Sequence, residues 1–168
     1  KGGGIDISGN KIALSDAQIN ASGANGGGRV YVGAGPYGVV NGPSASADVT
    51  TVSAGTNVNV DATDNGNGGS VVYWGNQNTA YHGTTTARGG ASGGNGGEVE
   101  ISTGAGVDFR GMVNTTAVNG TVGTLLIDPT DVSIGNDRNR IDGTYLNTQQ
   151  LANQLVGTSI VVQATGSI

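Results

Sequence analysis

One short phrase recurs along the chain and constrains its fold more than any other feature. It consists of an apolar residue, a small polar run, a Gly-Gly pair, one further residue and a segment of alternating apolar residues. Copies occupy residues 19–32, 60–74 and 87–101, and a degenerate copy occupies residues 113–127. Repetition at a period of 20 to 50 residues is the signature of a solenoid. The sequence therefore predicts a coil of repeated short strands.

The composition agrees with strands that stack into a narrow core. Glycine accounts for 33 of the 168 residues, but it does not recur at every third position, which excludes collagen. Aromatic residues make up only 4% of the chain, so the core must consist of Val, Ile, Leu and Ala. Such a core is sufficient for a solenoid, because each coil buries its inner residues against the coils beside it.

Two segments depart from the repeat. The Gly-Gly pairs begin at residues 27, 68 and 96, so the first interval is longer than the second, and the extra length falls at residues 33–48. Two turn sequences, Gly-Pro-Tyr-Gly and Asn-Gly-Pro-Ser, predict that these residues form a loop that leaves the coil. Residues 147–156 predict a short helix: Asn147 and Gln150 match a capping box, and Leu151 and Leu155 share a helical face.

Charge and residue content argue against several classes of function. The net charge is −5, the seven basic residues are scattered, and there is no cysteine, which argues against nucleic-acid binding and thiolate metal sites. No apolar run reaches the roughly 20 residues of a membrane span. The chain opens in the middle of a repeat and shows no capping repeat, so residues 1–168 are expected to be a single segment of a longer protein.

Four segments carry a resemblance to a known family: residues 68–74, 84–90, 96–102 and 123–129, the last reading Gly-Thr-Leu-Leu-Ile-Asp-Pro. Together they resemble filamentous-haemagglutinin-like exoproteins, the large adhesins exported by two-partner secretion. The resemblance implies a right-handed parallel β-helix. Together with the loop and the short helix predicted above, the expected fold is all-β, a parallel β-helix with one loop outside it and one short α-helix near the C-terminus. It also implies a secreted protein at the bacterial cell surface, with an outer-membrane secretion pore as its export partner.

The candidate binding residues are aromatic. Tyr73, Trp74, Tyr81 and His82 lie within ten residues of one another, and Tyr37 lies in the 33–48 loop. Exposed aromatic rings stack on sugars or anchor a protein partner, and binding residues concentrate on loops held by a rigid scaffold. The alternative for the aromatic cluster is packing in the core or at corners, which is the favoured interpretation of Trp74.

No catalytic, metal or cofactor site is predicted. His82 is the single histidine and is interpreted as part of a surface turn. A polysaccharide-degrading β-helix would need converging acids and a base, for which Asp61, Arg88, Glu98, Glu100 and Arg110 are the available mixture. Glu98 and Glu100 alternate with Val99 and Ile101, so both are expected to point outward into solvent.

Three asparagines match the acceptor pattern for N-glycosylation: Asn20, Asn114 and Asn119. Such matches arise often by chance in a chain rich in Asn, Ser and Thr. They are predicted as acceptor sites only because some members of the family that the chain resembles carry glycans at such positions.

The expected function is a non-enzymatic structural or adhesive segment that forms a stiff rod for adhesion or biofilm. Its expected partner is a receptor or glycan on a host or bacterial surface, without insertion into a membrane. One alternative is a ligand-binding passenger that takes a haem-carrier protein or a glycan through the 33–48 loop and Tyr73, Trp74 and Tyr81. A polysaccharide-degrading enzyme that uses Glu98 or Asp61 is the third hypothesis.

Overall fold

The structure is a computed structural model that describes residues 1–40, 45–136, 143–166 and 168. These residues form mostly short β-strands and one short helix. In chain order the elements are β1 (Gly4–Ile7), β2 (Lys11–Leu14), β3 (Gln18–Asn20), β4 (Arg29–Val32), β5 (Val49–Val52), β6 (Asn57–Asn59), β7 (Ser70–Gly75), β8 (Asn78–Tyr81), β9 (Thr84–Thr86), β10 (Glu98–Thr103), β11 (Gly106–Phe109), β12 (Met112–Asn114), β13 (Thr124–Asp128), β14 (Val132–Gly135), β15 (Thr144–Asn147), α1 (Thr148–Gln154) and β16 (Ser159–Val162).

The strands form three main sheets in which every pairing is parallel. Sheet A has the order β1-β4-β7-β10-β13-β16, sheet B the order β2-β5-β8-β11, and sheet C the order β3-β6-β9-β12. The chain therefore visits sheets A, B and C in the same order four times, and each visit to all three is called a pass. The remaining strands β14 and β15 pair with each other. The prediction of an all-β chain with parallel sheets and one short helix is confirmed.

Alternation along each strand decides which side chains are buried. In sheet A, Val30, Val71, Val99 and Leu125 are register partners, and all four are almost fully buried. Their neighbours one residue away point to the opposite face, as the period of two in a strand requires. Stacking like side chains in rows gives a continuous apolar core, even though each pass contributes only a few residues to it.

The Gly-Gly pairs form the corner where sheet C turns into sheet A. The second glycine of each pair donates its N–H to the residue that ends the sheet C segment of the same pass, as Gly97 does to the carbonyl oxygen of Ala87 at 2.7 Å. A Cβ atom on Gly97 would overlap the carbonyl oxygen of Gly69 in the neighbouring pass. The pairs are therefore required for close backbone approach. Positive φ angles occur at Gly26, Gly66 and Gly94, one or two residues before each pair.

The helix α1 lies against the free edge of β12. The Asn147 half of the predicted capping box is confirmed, since the Asn147 side chain accepts hydrogen bonds from the backbone N–H groups of Gln149 and Gln150. The Gln150 half is wrong, because the Gln150 side chain donates to the carbonyl oxygen of Gly111 instead. The prediction that Leu151 and Leu155 form the buried face of the helix is wrong for Leu155, which is 62% exposed, whereas Gln154 is buried. The helix begins and ends close to the predicted limits. Within the described part of the chain, no helix has the length and apolarity needed to cross a membrane.

Gln154 is buried because its amide replaces a neighbouring strand. Its Oε1 accepts a hydrogen bond from the backbone N–H of Val113 at 2.9 Å, and its Nε2 donates to the carbonyl oxygen of Gly111 at 3.0 Å. A buried edge must have its backbone groups paired, and one glutamine supplies both a donor and an acceptor. The helix thus covers the edge of sheet C.

The long connection between β4 and β5 leaves the sheets and returns to them. Residues 33–40, called the strap, contain a 3₁₀ turn at Pro36–Gly38. The N–H of Ala47 donates to the carbonyl oxygen of Gly33 at 2.9 Å, so the two ends of the excursion are adjacent. The predicted 33–48 loop is thus observed in its described parts, and residues 41–44 lie outside the described residues.

Candidate binding surface

The strap lies across the outer face of sheet A. It leaves pass 2 after β4, and the backbone N–H of Tyr37 donates to Oε1 of Glu100 in pass 4 at 2.9 Å. Between these two points it covers Trp74 in pass 3. Gly38 has φ of 73°, and a Cβ atom there would overlap the indole ring of Trp74. Glycine satisfies both the left-handed backbone and the close approach at this position.

Glu100 is buried beneath the strap, which corrects the expectation that it is solvated. Its side chain does leave the outer side of β10, opposite to Val99 and Ile101, but only 7% of the residue is exposed. Its Oε1 accepts a second hydrogen bond from the Ser102 hydroxyl at 2.8 Å. Burial raises the pKa of Glu100, and the hydrogen bonds from Ser102 and from the Tyr37 backbone partly offset that effect. Glu98 is exposed as expected.

A groove of about 260 Å³ lies between the strap and the outer face of sheet A. Polar and apolar groups contribute about equally to its walls, and Glu100 supplies a carboxylate. The residues that line the groove include Pro36, Tyr37, Val72, Glu100, Leu126 and Val161. Val72 and Leu126 flank Glu100 as its register partners on β7 and β13. A concavity in which apolar side chains flank a polar group of perturbed pKa is a candidate binding site.

Of the groove residues, only Tyr37 is predicted from the sequence to lie on a binding surface, although the sequence contains a signal for others. Tyr31, Val72, Glu100 and Leu126 each stand three residues after the second glycine of a corner, or of its degenerate copy. Aligning the copies on that glycine places all four side chains in one outward row. Such an alignment does not predict that the strap covers this row, because the strap occurs in a single pass.

Two of the predicted binding residues, Tyr73 and Tyr81, belong to the core, which corrects their assignment to a binding surface. Both are fully buried, and their rings lie 5.0 Å apart between centroids. Both hydroxyl groups meet the Thr85 hydroxyl at 2.8 Å inside the fold. Burial raises the pKa of both phenols. Each occupies an inward position in its strand, in register with Val32 and Val52 of pass 2.

The other aromatic candidates are divided between two surfaces. Tyr37 belongs to the strap and is 67% exposed, and Trp74 lies beneath Gly38 of the strap. The Trp74 indole N–H donates to the side-chain oxygen of Asn76 at 2.9 Å. His82 follows β8 of sheet B, and its Nε2 lies 2.9 Å from a carboxylate oxygen of Asp108. His82 therefore does not extend the surface formed by Tyr37 and Trp74, although all three remain predicted contact residues.

Asp108 is the centre of a small ionic group on sheet B. Its carboxylate accepts hydrogen bonds from His82 and from Nε of Arg110, the latter at 2.9 Å. Burial alone would raise the pKa of Asp108, but the bonds from Arg110 and His82 outweigh it and lower that pKa. The arrangement is an exposed ion-pair group, and such groups contribute little to stability.

The residues considered for an enzyme do not converge. The Asp61 carboxylate is buried and accepts hydrogen bonds from Nε, Nη2 and the backbone N–H of Arg88 at 2.7 to 2.9 Å. Asp61 follows β6 at the end of sheet C, whereas Glu98 begins β10 in sheet A. Among the residues described, no three His, Asp or Glu side chains are grouped so that they could share a metal ion.

The three predicted glycosylation sites differ in their surroundings. Asn20 is exposed, and its Oδ1 accepts the backbone N–H of Ser22. Asn114 is partly buried, and its Oδ1 accepts both the backbone N–H and the hydroxyl of Thr116. Asn119 is exposed, but its Nδ2, the atom that would carry a sugar, donates to the carbonyl oxygen of Ala91 at 2.8 Å. All three remain predictions.

A second, larger cavity is less suited to recognition. It has a volume of about 890 Å³ and follows the glycine corner past Lys1 and Arg29. Its walls are mostly backbone, and the charge of Arg29 is already paired with Asp6 at 2.8 Å. The groove beneath the strap offers a more specific set of side chains, despite its smaller size. No protein-family model matches the chain, and no curated protein matches its sequence.

Proposed function

We propose that the chain is a segment of a right-handed parallel β-helix in a secreted bacterial surface exoprotein, where it forms a stiff rod for adhesion or biofilm. One observation carries the proposal: the chain visits three parallel sheets in a constant order, with inward and outward side chains in continuous rows. The resemblance of residues 123–129 and the earlier segments to filamentous-haemagglutinin-like exoproteins supports the cellular context. In that context a two-partner outer-membrane pore exports the chain.

The mechanical role follows from how neighbouring passes hold each other. Each pass is bonded to the next by three parallel ladders, and strands in a ladder lie about 4.8 Å apart. The stability of such an array is a sum of nearest-neighbour terms, so length can grow without a larger core. The segment acts without catalysis in this proposal, which is supported by the engagement of Asp61 with Arg88.

A duplication experiment tests the rod. Residues 70–97 form one unit, since Ser70 and Glu98 are register partners, and a second copy inserted after Gly97 should add one pass. We expect a folded chain whose largest dimension in small-angle X-ray scattering increases by about 5 Å, the spacing of one strand. An unfolded product, or a folded one of unchanged length, would contradict the rod.

The groove favours a second candidate function, a ligand-binding passenger that takes a haem-carrier protein or a glycan at the strap. Deleting residues 35–46 tests this candidate, because the ends of the excursion are adjacent and the deletion leaves four residues between Val32 and Val49. Pass 3 has the same number between Tyr73 and Asn78, which are the register partners of Val32 and Val49. The purified chain and the deleted chain are compared in a screen against glycans and host proteins.

The two candidates differ in the expected result of that screen. A ligand that binds the full chain and not the deleted chain supports the ligand-binding passenger. If the deleted chain keeps every interaction of the full chain, the strap is not the binding element and the second candidate fails. The far-ultraviolet circular dichroism of both chains serves as the control for folding.

A further inference from the structure

In the groove beneath the strap, only one of the two carboxylate oxygens of Glu100 accepts hydrogen bonds from the described residues. Oε1 of Glu100 accepts hydrogen bonds from the Tyr37 backbone and the Ser102 hydroxyl, whereas its Oε2 accepts none from the described residues. The residue is more than nine-tenths buried and still borders the groove. Among the described residues, Tyr145 Oη is the one fully buried side-chain polar atom without a partner, so Oε2 of Glu100 keeps contact with solvent in the groove. A donor from outside can take the place of water at this oxygen.

The charges around the groove are of one sign. Glu98 and Glu100 border it, and Asp128 lies near enough to raise the pKa of Glu100 by its charge. None of the described residues that line the groove is basic. Arg29, the nearby cation of sheet A, pairs with Asp6 and lies over the ring of Tyr31. A net charge of −5 further favours the approach of a cation.

The apolar side chains beside Glu100 indicate which kind of cationic group the groove would accept. Val72, Leu126 and Val161 present apolar surface next to Glu100, and Pro36 and Tyr37 close the opposite side. A methylene stem gains by leaving water at such walls, while its charged end bonds to the carboxylate. The volume of about 260 Å³ is below that of ordinary small-molecule sites and is of the size of one side chain.

We infer that the groove receives a lysine side chain of a partner protein, with the ammonium group on Oε2 of Glu100 and the stem against Val72, Leu126 and Val161. Lysine fits better than arginine because Oε1 of Glu100 is occupied, which leaves no pair of oxygens for the fork of a guanidinium. The inference deepens the second candidate function by naming the chemistry that the strap recognises. It does not depend on the rod.

Titration of the chain with N-acetyl-lysinamide, followed by NMR, tests the inference. We expect the amide signals of Tyr37, Glu100 and Ser102 to shift with a dissociation constant on the order of 1 mM, since one charged bond and a short stem are involved. N-acetyl-norleucinamide has a similar stem without the charge and should bind about tenfold more weakly. Equal binding of the two, or no shift of these signals, would overturn the inference. Tighter binding of N-acetyl-argininamide would overturn the choice of lysine.

Variants separate the specific bond from general attraction. Glu100→Gln keeps an acceptor for Tyr37 and removes the charge, so we expect about a tenfold loss of lysinamide binding. Asp64→Asn, a change at an exposed carboxylate that does not line the groove, is the control and should change binding less than about twofold. Equal losses in both variants would show diffuse attraction and overturn the inference.

A third variant keeps the test decisive if Glu100→Gln fails to fold. Leu126 is the register partner of Glu100, so Leu126→Lys places a stem and an ammonium group beside the same carboxylate. This internal lysine should abolish binding of the probe, and unchanged binding would overturn the inference. A ligand without positive charge that still requires residues 35–46 would also overturn it, and would leave the second candidate function in place.

Discussion

The outer faces of sheets A and C are built from the same passes but differ in how their side chains are held. On sheet C, three asparagines at strand ends make the same local contact. The side-chain oxygen of each accepts a hydrogen bond from the backbone N–H of the residue two positions later, as seen for Asn20, Asn59 and Asn114. On sheet A, Glu100 is held by Tyr37, which is 63 residues away in the chain. The repeated face is organised by local contacts and the unique face by an insertion.

This difference gives the sheet A face a groove that a row of equivalent side chains would not form. A row of like residues presents the same groups at every pass and offers little to distinguish one ligand from another. The strap interrupts that equivalence by covering Trp74 and Glu100 and by leaving a groove beside Val72 and Leu126. Function on a rigid scaffold tends to lie in such loops.

The largest effect should come from the glycine corner that both faces share. Gly97→Ala would drive a Cβ atom into the Gly69 carbonyl oxygen, so we expect a loss of about 3 kcal/mol in the free energy of unfolding, measured in denaturant. Gly106→Ala, in the following pass, is the control, because the nearest atoms to its Cβ would be 3.9 Å away. Its stability should change by about 0.5 kcal/mol or less. Equal losses in the two variants would show that close approach is not the reason for the glycine.

A smaller effect, confined to sheet C, should follow from Gln154→Leu. The change leaves the N–H of Val113 and the carbonyl of Gly111 without their partners, which should cost about 2 kcal/mol. Faster hydrogen exchange at the Val113 amide would locate the effect. Gln149→Leu, an exposed position on the same helix, should leave that exchange unchanged. If Val113 remains equally protected in both variants, the helix does not act as the covering of this edge.

Deletion of residues 35–46 should change the sheet A face and spare the sheet C face. Trp74 is the single tryptophan, so its fluorescence should shift to longer wavelength when the strap no longer covers the indole ring. Exchange at the sheet C amides of Val58 and Thr85 is the internal control, because they lie in strands remote from the strap. Loss of protection at those amides would show that the two faces are not independent.

The smallest effect is a pH dependence that belongs to sheet A alone. Because burial raises the pKa of Glu100 above 4.5, the folded state holds this proton more tightly than the unfolded chain. Its contribution to stability is therefore present at low pH and is lost as pH rises from 4.5 through the folded pKa. Burial acts in the same direction on the pKa of Asp128.

In Glu100→Gln, stability should fall less as the pH rises, because only the contribution of Asp128 remains. Thermal unfolding of both chains across pH 4 to 8 is the measurement, with Glu98→Gln as the exposed control. An unchanged slope in Glu100→Gln would mean that the strap does not bury the carboxylate in solution.

The sequence predicts the repeated part of the molecule because that part depends on local patterns. Alternation of apolar residues identifies strands such as β10, and the Asn147 cap identifies the start of α1. The same alternation would have placed Tyr73 inward, but the concentration of aromatic residues in one stretch suggested a surface. Burial of Tyr73 depends on a hydroxyl partner, Thr85, that comes from another sheet.

The candidate site resisted prediction for a physical reason. The strap and Glu100 are joined by a contact between pass 2 and pass 4, and no periodic pattern indicates which later residue an insertion will cover. Gln154 shows the same limit, since its burial depends on the free edge of β12. In both cases a polar side chain is buried because a distant backbone group supplies its partner.

The central claim, that successive passes stack in one register, can be tested with a pair of introduced cysteines. The chain has no cysteine of its own, and Thr51 and Ala80 are register partners on the outer face of sheet B. We expect Thr51→Cys with Ala80→Cys to form a disulfide under mild oxidation, because adjacent strands bring the two Cα atoms about 5 Å apart. Thr51→Cys with Asn78→Cys lies two residues out of register and should stay reduced, because that offset puts the Cα atoms beyond the roughly 7 Å that a disulfide can span. Equal oxidation of both pairs, or preferential oxidation of the offset pair, would contradict the stacking on which the rod and the groove depend.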